Sequence, residues 1–207
     1  AVGNMCKEEQ LEQWLKPYQI TTTQPKAVGL VMAGNIPLVG FHDLMSVLLS
    51  GHKARIKLSS QDSVLMNYVI EALIEFLPEI ESDIEIIEQL KGMDAVIATG
   101  SDNSARYFKH YFGSIPHIIR QNRTSVAVLN GSESQESLSS LGHDIFQYYG
   151  LGCRNVSKLF IPKDYNFDAF FKAMYKWHPI INQAKYANNY DYNKAVYLMS
   201  EFDMLEN

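Results

Sequence analysis

The chain has 207 residues, 46% of them hydrophobic and 12% aromatic, with a formal net charge of −5. This length allows a buried core in one large domain or two small ones, and no apolar run is long enough to cross a bilayer. The acidic balance, without any basic run interleaved with aromatics, argues against nucleic acid or an anionic membrane as partner. Two cysteines, Cys6 and Cys153, make no disulfide framework. They suit a reducing, cytoplasmic setting. The opening, AVGNMCKEEQLEQWLKP, is polar where a secretory segment would be apolar. The start on Ala1 and the charged, uncapped residues 201–207 suggest a piece of a longer polypeptide.

A short helix is predicted over residues 8–15, followed by a polar connection at residues 21–25. Residues 26–32 read as a near-continuous apolar strand, as a parallel strand covered on both faces requires. A loop at residues 33–37 leads to a helix over residues 39–49, closed by Gly51. The second strand covers residues 54–58. Residues 59–63 then supply capping groups for a helix over residues 64–77, expected to bury Leu65, Val69, Ala72, Leu73 and Phe76 before Pro78 stops it. Residues 84–87 make a third strand. Residues 94–99 make a fourth, running straight into Gly100, Ser101 and a helix over residues 103–112. Three strand-loop-helix units in succession define a doubly wound parallel sheet with helices on both faces, whose ligands gather beyond the carboxyl ends of the strands.

The composition shifts after residues 117–120, and a domain boundary is placed there. The expected division is a helical lead-in (1–25), a dinucleotide-binding domain (26–121) and part of a second α/β domain (122–207). In the last, a strand at residues 125–129 precedes a helix over 138–149, a strand over 156–161 expected to be buried, and a helix over 167–177. Residues 188–205 have helical spacing.

Several positions carry candidate chemistry. Cys153 lies between Gly152 and a strand, with Gly150 close by, in a turn that can present a thiol to a cleft. The alternative is a small buried apolar residue. Asn35 stands ahead of Ile36 and Pro37, where its amide can donate to an oxyanion or serve as a helix cap or Asx turn. Gly100 and Ser101 can border a phosphate at a helix N-terminus or form an ordinary strand-to-helix turn. Lys57 at a strand end can meet a nucleotide or simply be solvated. The six histidines show no metal-ligand spacing, and no zinc site is expected.

The order of these features resembles the aldehyde dehydrogenase superfamily. More closely, GNIPLVGFHDLMSVLLSG, ATGSDNSARYF and YYGLGCRNVSKLFIP resemble the fatty acyl-CoA reductase family of bacterial bioluminescence and its relatives, across residues 28–162. The resemblance implies an aldehyde dehydrogenase-like, Rossmann-like fold and a nicotinamide-dependent enzyme that reduces an acyl-CoA to the aldehyde through a cysteine acyl-enzyme. It makes Cys153 the nucleophile and Asn35, with the Cys153 backbone N–H, the oxyanion donor. Lys57 and Ser60 would contact the adenosine side of the cofactor, and Gly100 and Ser101 its pyrophosphate. Where hydrolytic members carry a water-activating glutamate, this chain reads Val128-Leu129-Asn130-Gly131, and Leu129 cannot act as a base. That departure suits hydride transfer to a thioester.

NADPH is the expected cofactor and NADH the second candidate, because the loop after the second strand offers Lys57, Ser59 and Ser60 and no acid before Asp62. A homo-oligomer is expected of the full-length protein. Two alternatives stand beside the acyl-CoA reductase: a related reductase acting on an acyl phosphate, and a nucleotide-binding or structural domain without turnover.

Overall fold

The computed structural model describes residues 7–18 and 24–200. Cys6, residues 21–23 of the polar connection, and the predicted tail helix beyond residue 200 lie outside the described residues. By its internal contacts the chain divides into two compact units, residues 1–121 and 122–207.

After helix α1 (Glu8–Leu15), the first unit runs β1 (Ala27–Val31), α2 (Phe41–Leu49), β2 (Lys53–Lys57), α3 (Ser63–Phe76) and β3 (Ile84–Ile86). It closes with β4 (Ala95–Thr99), α4 (Asp102–Phe112) and β5 (His117–Arg120). The five strands are all parallel, in the order β3-β2-β1-β4-β5. The order reverses between β1 and β4. Right-handed crossovers therefore place α2 and α3 over one face of the sheet and α4 over the other. On the first face Val28, Leu30, Ala54 and Ile56 pack with Leu44 and Val47 of α2 and Met66 and Ile70 of α3. On the second, Val96 and Ala98 are buried, and so is Ala105 of α4.

Helix α3 forms where expected but turns a different face inward. Met66 and Ile70 are buried, while Leu65 and Phe76 are exposed, Phe76 at 87%. The helix is apolar around most of its circumference, so periodicity alone leaves its rotation open. Strand β5 extends the sheet past the strands expected from the sequence. It is four residues long and half exposed at the edge, too short and too open for a pattern of period two to show.

The second unit pairs β6 (Ser125–Val128) with β7 (Val156–Phe160) in parallel, with a register irregularity between Ser125 and Val126. Helices α5 (Gln135–Phe146), α6 (Phe167–Met174) and α7 (Ala184–Leu198) complete it, with a 3-10 segment, Tyr175–Asn182, around Pro179. Its core is small: Leu129, Leu138, Ala173 and Met174. The expectation of a buried strand over residues 156–161 fails here. Lys158 and Phe160 of β7 are exposed, because a two-stranded sheet with one covered face leaves alternate side chains outward, and Ser157, exposed as well, is the unpaired residue at the register irregularity.

Candidate active site

Cys153 is exposed, which removes the reading of it as a buried apolar residue. Its turn begins where α5 ends. The helix stops three residues short of its predicted end because Gln147 turns out of it (φ −55°, ψ 142°), after which Tyr148 (φ 53°, ψ 33°) and Tyr149 (φ 59°, ψ 28°) take left-handed conformations, followed by Gly150 at φ 70°. A left-handed conformation costs a residue with a Cβ about 1–2 kcal/mol, so two tyrosines in succession require support from their surroundings.

That support includes Asn155. Its backbone N–H donates to Gly152 O at 3.0 Å, closing a four-residue turn with Cys153 as the first central residue. Its side-chain Oδ1 accepts from Gly152 N at 2.8 Å. Its Nδ2 donates to Asp144 O at 2.9 Å, Ile145 O at 3.2 Å and Gln147 O at 2.9 Å, satisfying carbonyls that the end of α5 leaves without helical partners. Gly152 is required by space, not by φ: a Cβ there would stand 2.5 Å from Asn155 Oδ1. Sequence reasoning missed Asn155. The available signal was an asparagine closing a glycine turn, Gly152-Cys153-Arg154-Asn155.

Asn35, half-buried, lies beyond the carboxyl end of β1 in the loop to α2. This loop is braced by its neighbour. Asp62, 7% exposed at the start of α3, accepts from Leu38 N at 2.7 Å, and Leu38 itself is left-handed at φ 57°. A Cβ on Gly34 would strike Ser59 Oγ, so the loops after β1 and β2 touch there. The first turn of α2 is also tied to the far edge of the sheet. Arg120 Nη1, at the end of β5, donates to Asp43 Oδ1 at 2.7 Å and Oδ2 at 2.6 Å, and Asp43 is 7% exposed.

The residues expected to meet a nucleotide share the carboxyl edge of the same sheet. Lys57 and Ser60 are exposed at the end of β2, beside a shallow depression lined by Lys57, Leu58, Ile86, Ile87, Glu88 and Gln89. Lys57 Nζ donates to Glu88 O at 2.6 Å. Gly100 and Ser101 follow β4. Gly100 N donates to Arg120 O at 3.1 Å as part of the sheet, and a Cβ on Gly100 would come within 2.9 Å of Ser104 Cβ and 3.0 Å of Phe108. Its local role is to let α4 close on the strand. Ser101 caps α4, its Oγ accepting from Ser104 N at 3.2 Å. Asn35, Lys57, Ser60, Gly100 and Ser101 thus belong to one edge of the first unit, and Cys153 to the second unit.

In the loop after β6, Leu129 is a core residue at 7% exposure. The carboxylate of Glu133 accepts from Asn130 N at 2.5 Å and Gly131 N at 3.2 Å. Burial, and secondarily the Glu133 charge, push the Tyr165 phenol above its ordinary value.

The doubly wound parallel sheet of the first unit and the smaller α/β unit after it are those of an aldehyde dehydrogenase-like fold. Solved structures bear out the fold. The chain superposes on PutA of Anabaena variabilis, described as an aldehyde dehydrogenase, with a TM-score of 0.64 at 19% identity, covering 73% of this chain and 35% of that one. Aldehyde dehydrogenase KauB of Pseudomonas aeruginosa gives 0.63 at 15% identity, covering 73% and 34%. Residues 6–170 match the family described as acyl-CoA reductase (LuxC), and the chain belongs to that family. The long-chain acyl-protein thioester reductase of Aliivibrio fischeri is 24% identical over an alignment of 220 positions that covers 94% of this chain and 44% of that protein. The chain spans less than half the length of that relative.

Proposed function

We propose that this chain carries the nucleophile and part of the cofactor site of an acyl thioester reductase that forms an aldehyde. The observation that carries the reading is the exposed Cys153 on its braced turn, within the residues that match the acyl-CoA reductase family. In this reading Cys153 Sγ, as thiolate, attacks the thioester carbonyl carbon and the C=O electron pair moves onto oxygen. The Asn35 amide and the Cys153 backbone N–H donate to that oxyanion. The pair then returns, the bond to the departing sulfur breaks, and the departing thiolate takes up a proton. The acyl group is left on Cys153. Val128-Leu129-Asn130-Gly131 brings no carboxylate to activate water, and Glu133 is turned onto two backbone N–H groups, so hydrolysis of the acyl-enzyme is not promoted.

A bound nicotinamide supplies the hydride for the reduction. The residues at the end of β2 fit a phosphorylated adenosine: Lys57 and Ser60 are exposed, while the carboxylate of Asp62 is buried against Leu38 N, away from any 2′-phosphate. NADPH is therefore the proposed cofactor and NADH the second candidate. Lys57 and Ser60 hold the adenosine side, and Gly100 and Ser101 border the pyrophosphate at the N-terminus of α4.

Acyl-CoA is the proposed donor. Similarity to the long-chain acyl-protein thioester reductase of Aliivibrio fischeri favours a thioester borne on a protein as the second. A homo-oligomer of the full-length protein in the cytoplasm completes the reading. The test is peptide mapping by mass after the full-length protein meets acyl-CoA. One acyl group on Cys153, absent from Cys153→Ala, is expected; an adduct elsewhere, or one that survives the substitution, overturns the reading.

A further inference from the structure

We propose that Asn155 is the positioning residue for the Cys153 nucleophile, its side-chain amide latching the turn that carries the thiol to the end of α5. The inference rests on the reading of Cys153 as an acyl-accepting thiol and goes beyond it by assigning the group that aims it. One side chain grips both sides of the turn. Oδ1 takes the N–H of Gly152, immediately before the cysteine, and the backbone N–H of Asn155 takes the carbonyl of that same glycine. Nδ2 reaches three carbonyls, of Asp144, Ile145 and Gln147. The path of the chain from α5 to Cys153 passes through the left-handed Tyr148, Tyr149 and Gly150, which a chain with no such anchor would leave for ordinary backbone conformations.

The chemistry makes the latch selective in its effect. Attack on a thioester requires the sulfur to approach the carbonyl carbon along a set direction while the oxygen meets its donors, and misplacement of about 1 Å costs on the order of a hundredfold. Attack on a small, freely diffusing alkylating agent such as iodoacetamide requires only an exposed thiolate, because the reagent chooses its own approach. A latch that aims the thiol is felt in the first reaction and not in the second. A group that merely stabilises the fold lowers both or neither.

The experiment compares the two rates at Cys153 in the full-length protein, for wild type, Asn155→Ala and Gly152→Ala. The second variant attacks the latch from the other side, since a Cβ at Gly152 meets Asn155 Oδ1. Single-turnover acylation from acyl-CoA is expected to fall at least tenfold in each folded variant, with iodoacetamide labelling within about threefold of wild type. Acylation at the wild-type rate in a folded variant overturns the proposal. So does a proportional fall in both rates, or loss of fold in both variants, either of which leaves Asn155 a structural role alone. Should wild type itself take no acyl group at Cys153, the reading of the nucleophile fails first and the latch falls with it.

Discussion

The loop after β1 and the turn carrying Cys153 are both bent through left-handed residues, and they are held by different means. Leu38 is held from a distance: its N–H meets a carboxylate 24 positions on, supplied by the next strand-loop-helix unit of a five-stranded sheet. The Cys153 turn is held locally by Asn155, two residues beyond the cysteine, and it rests on a unit with a two-stranded sheet and a small core. The first arrangement depends on the sheet being assembled. The second depends on the end of one helix. A substitution in the core of the first unit should therefore disturb the Asn35 loop, whereas the Cys153 turn should answer mainly to changes in its own few residues.

The largest expected effect is on the platform beneath the Asn35 loop. Leu44 of α2 is fully buried against β1 and β2, and Leu44→Ala should destabilise the first unit by about 2–5 kcal/mol. Denaturant unfolding followed by hydrogen exchange would show the loss in β1, β2 and α2, with exchange in residues 144–155 unchanged. Equal loss in both regions would break the distinction drawn between them.

A smaller effect is expected from the brace itself. Asp62→Ala leaves the part-buried Leu38 N–H without its charged acceptor and should cost about 1.5–3 kcal/mol. Asp62→Asn keeps an acceptor oxygen and should recover much of that. If the alanine variant unfolds within about 0.5 kcal/mol of wild type, Leu38 finds another partner and the loop is not held from a distance.

The smallest effect concerns the charge that the brace keeps out of sight. With Asp62 turned inward, Ser60→Glu would place an exposed carboxylate beside Lys57 at the end of β2. NADPH affinity should fall by roughly tenfold, about 1.4 kcal/mol, with NADH affected less, as read by titration of the full-length protein at matched salt. Unchanged NADPH affinity would remove Ser60 from the adenosine side.

By itself the sequence determined the elements whose signals are local. The apolar run over residues 26–32, the Gly51 helix end and the Gly100-Ser101 entry to α4 each specify backbone conformation within a few residues, and the succession of such units implied a parallel sheet. It also placed Cys153 in a glycine-rich turn. Tertiary structure alone decided which face of α3 is buried, because nearly every face of that helix is apolar and only the sheet chooses among them. It decided that β7 is half exposed, since a strand's burial is a property of what covers it. It decided that Asp62 serves Leu38, that Arg120 serves Asp43, and that the amide of Asn155 spans from Gly152 to the end of α5. Hydrogen bonds of this kind depend on the direction of a side chain and the approach of distant backbone. Neither is written into the spacing of residue types along a chain.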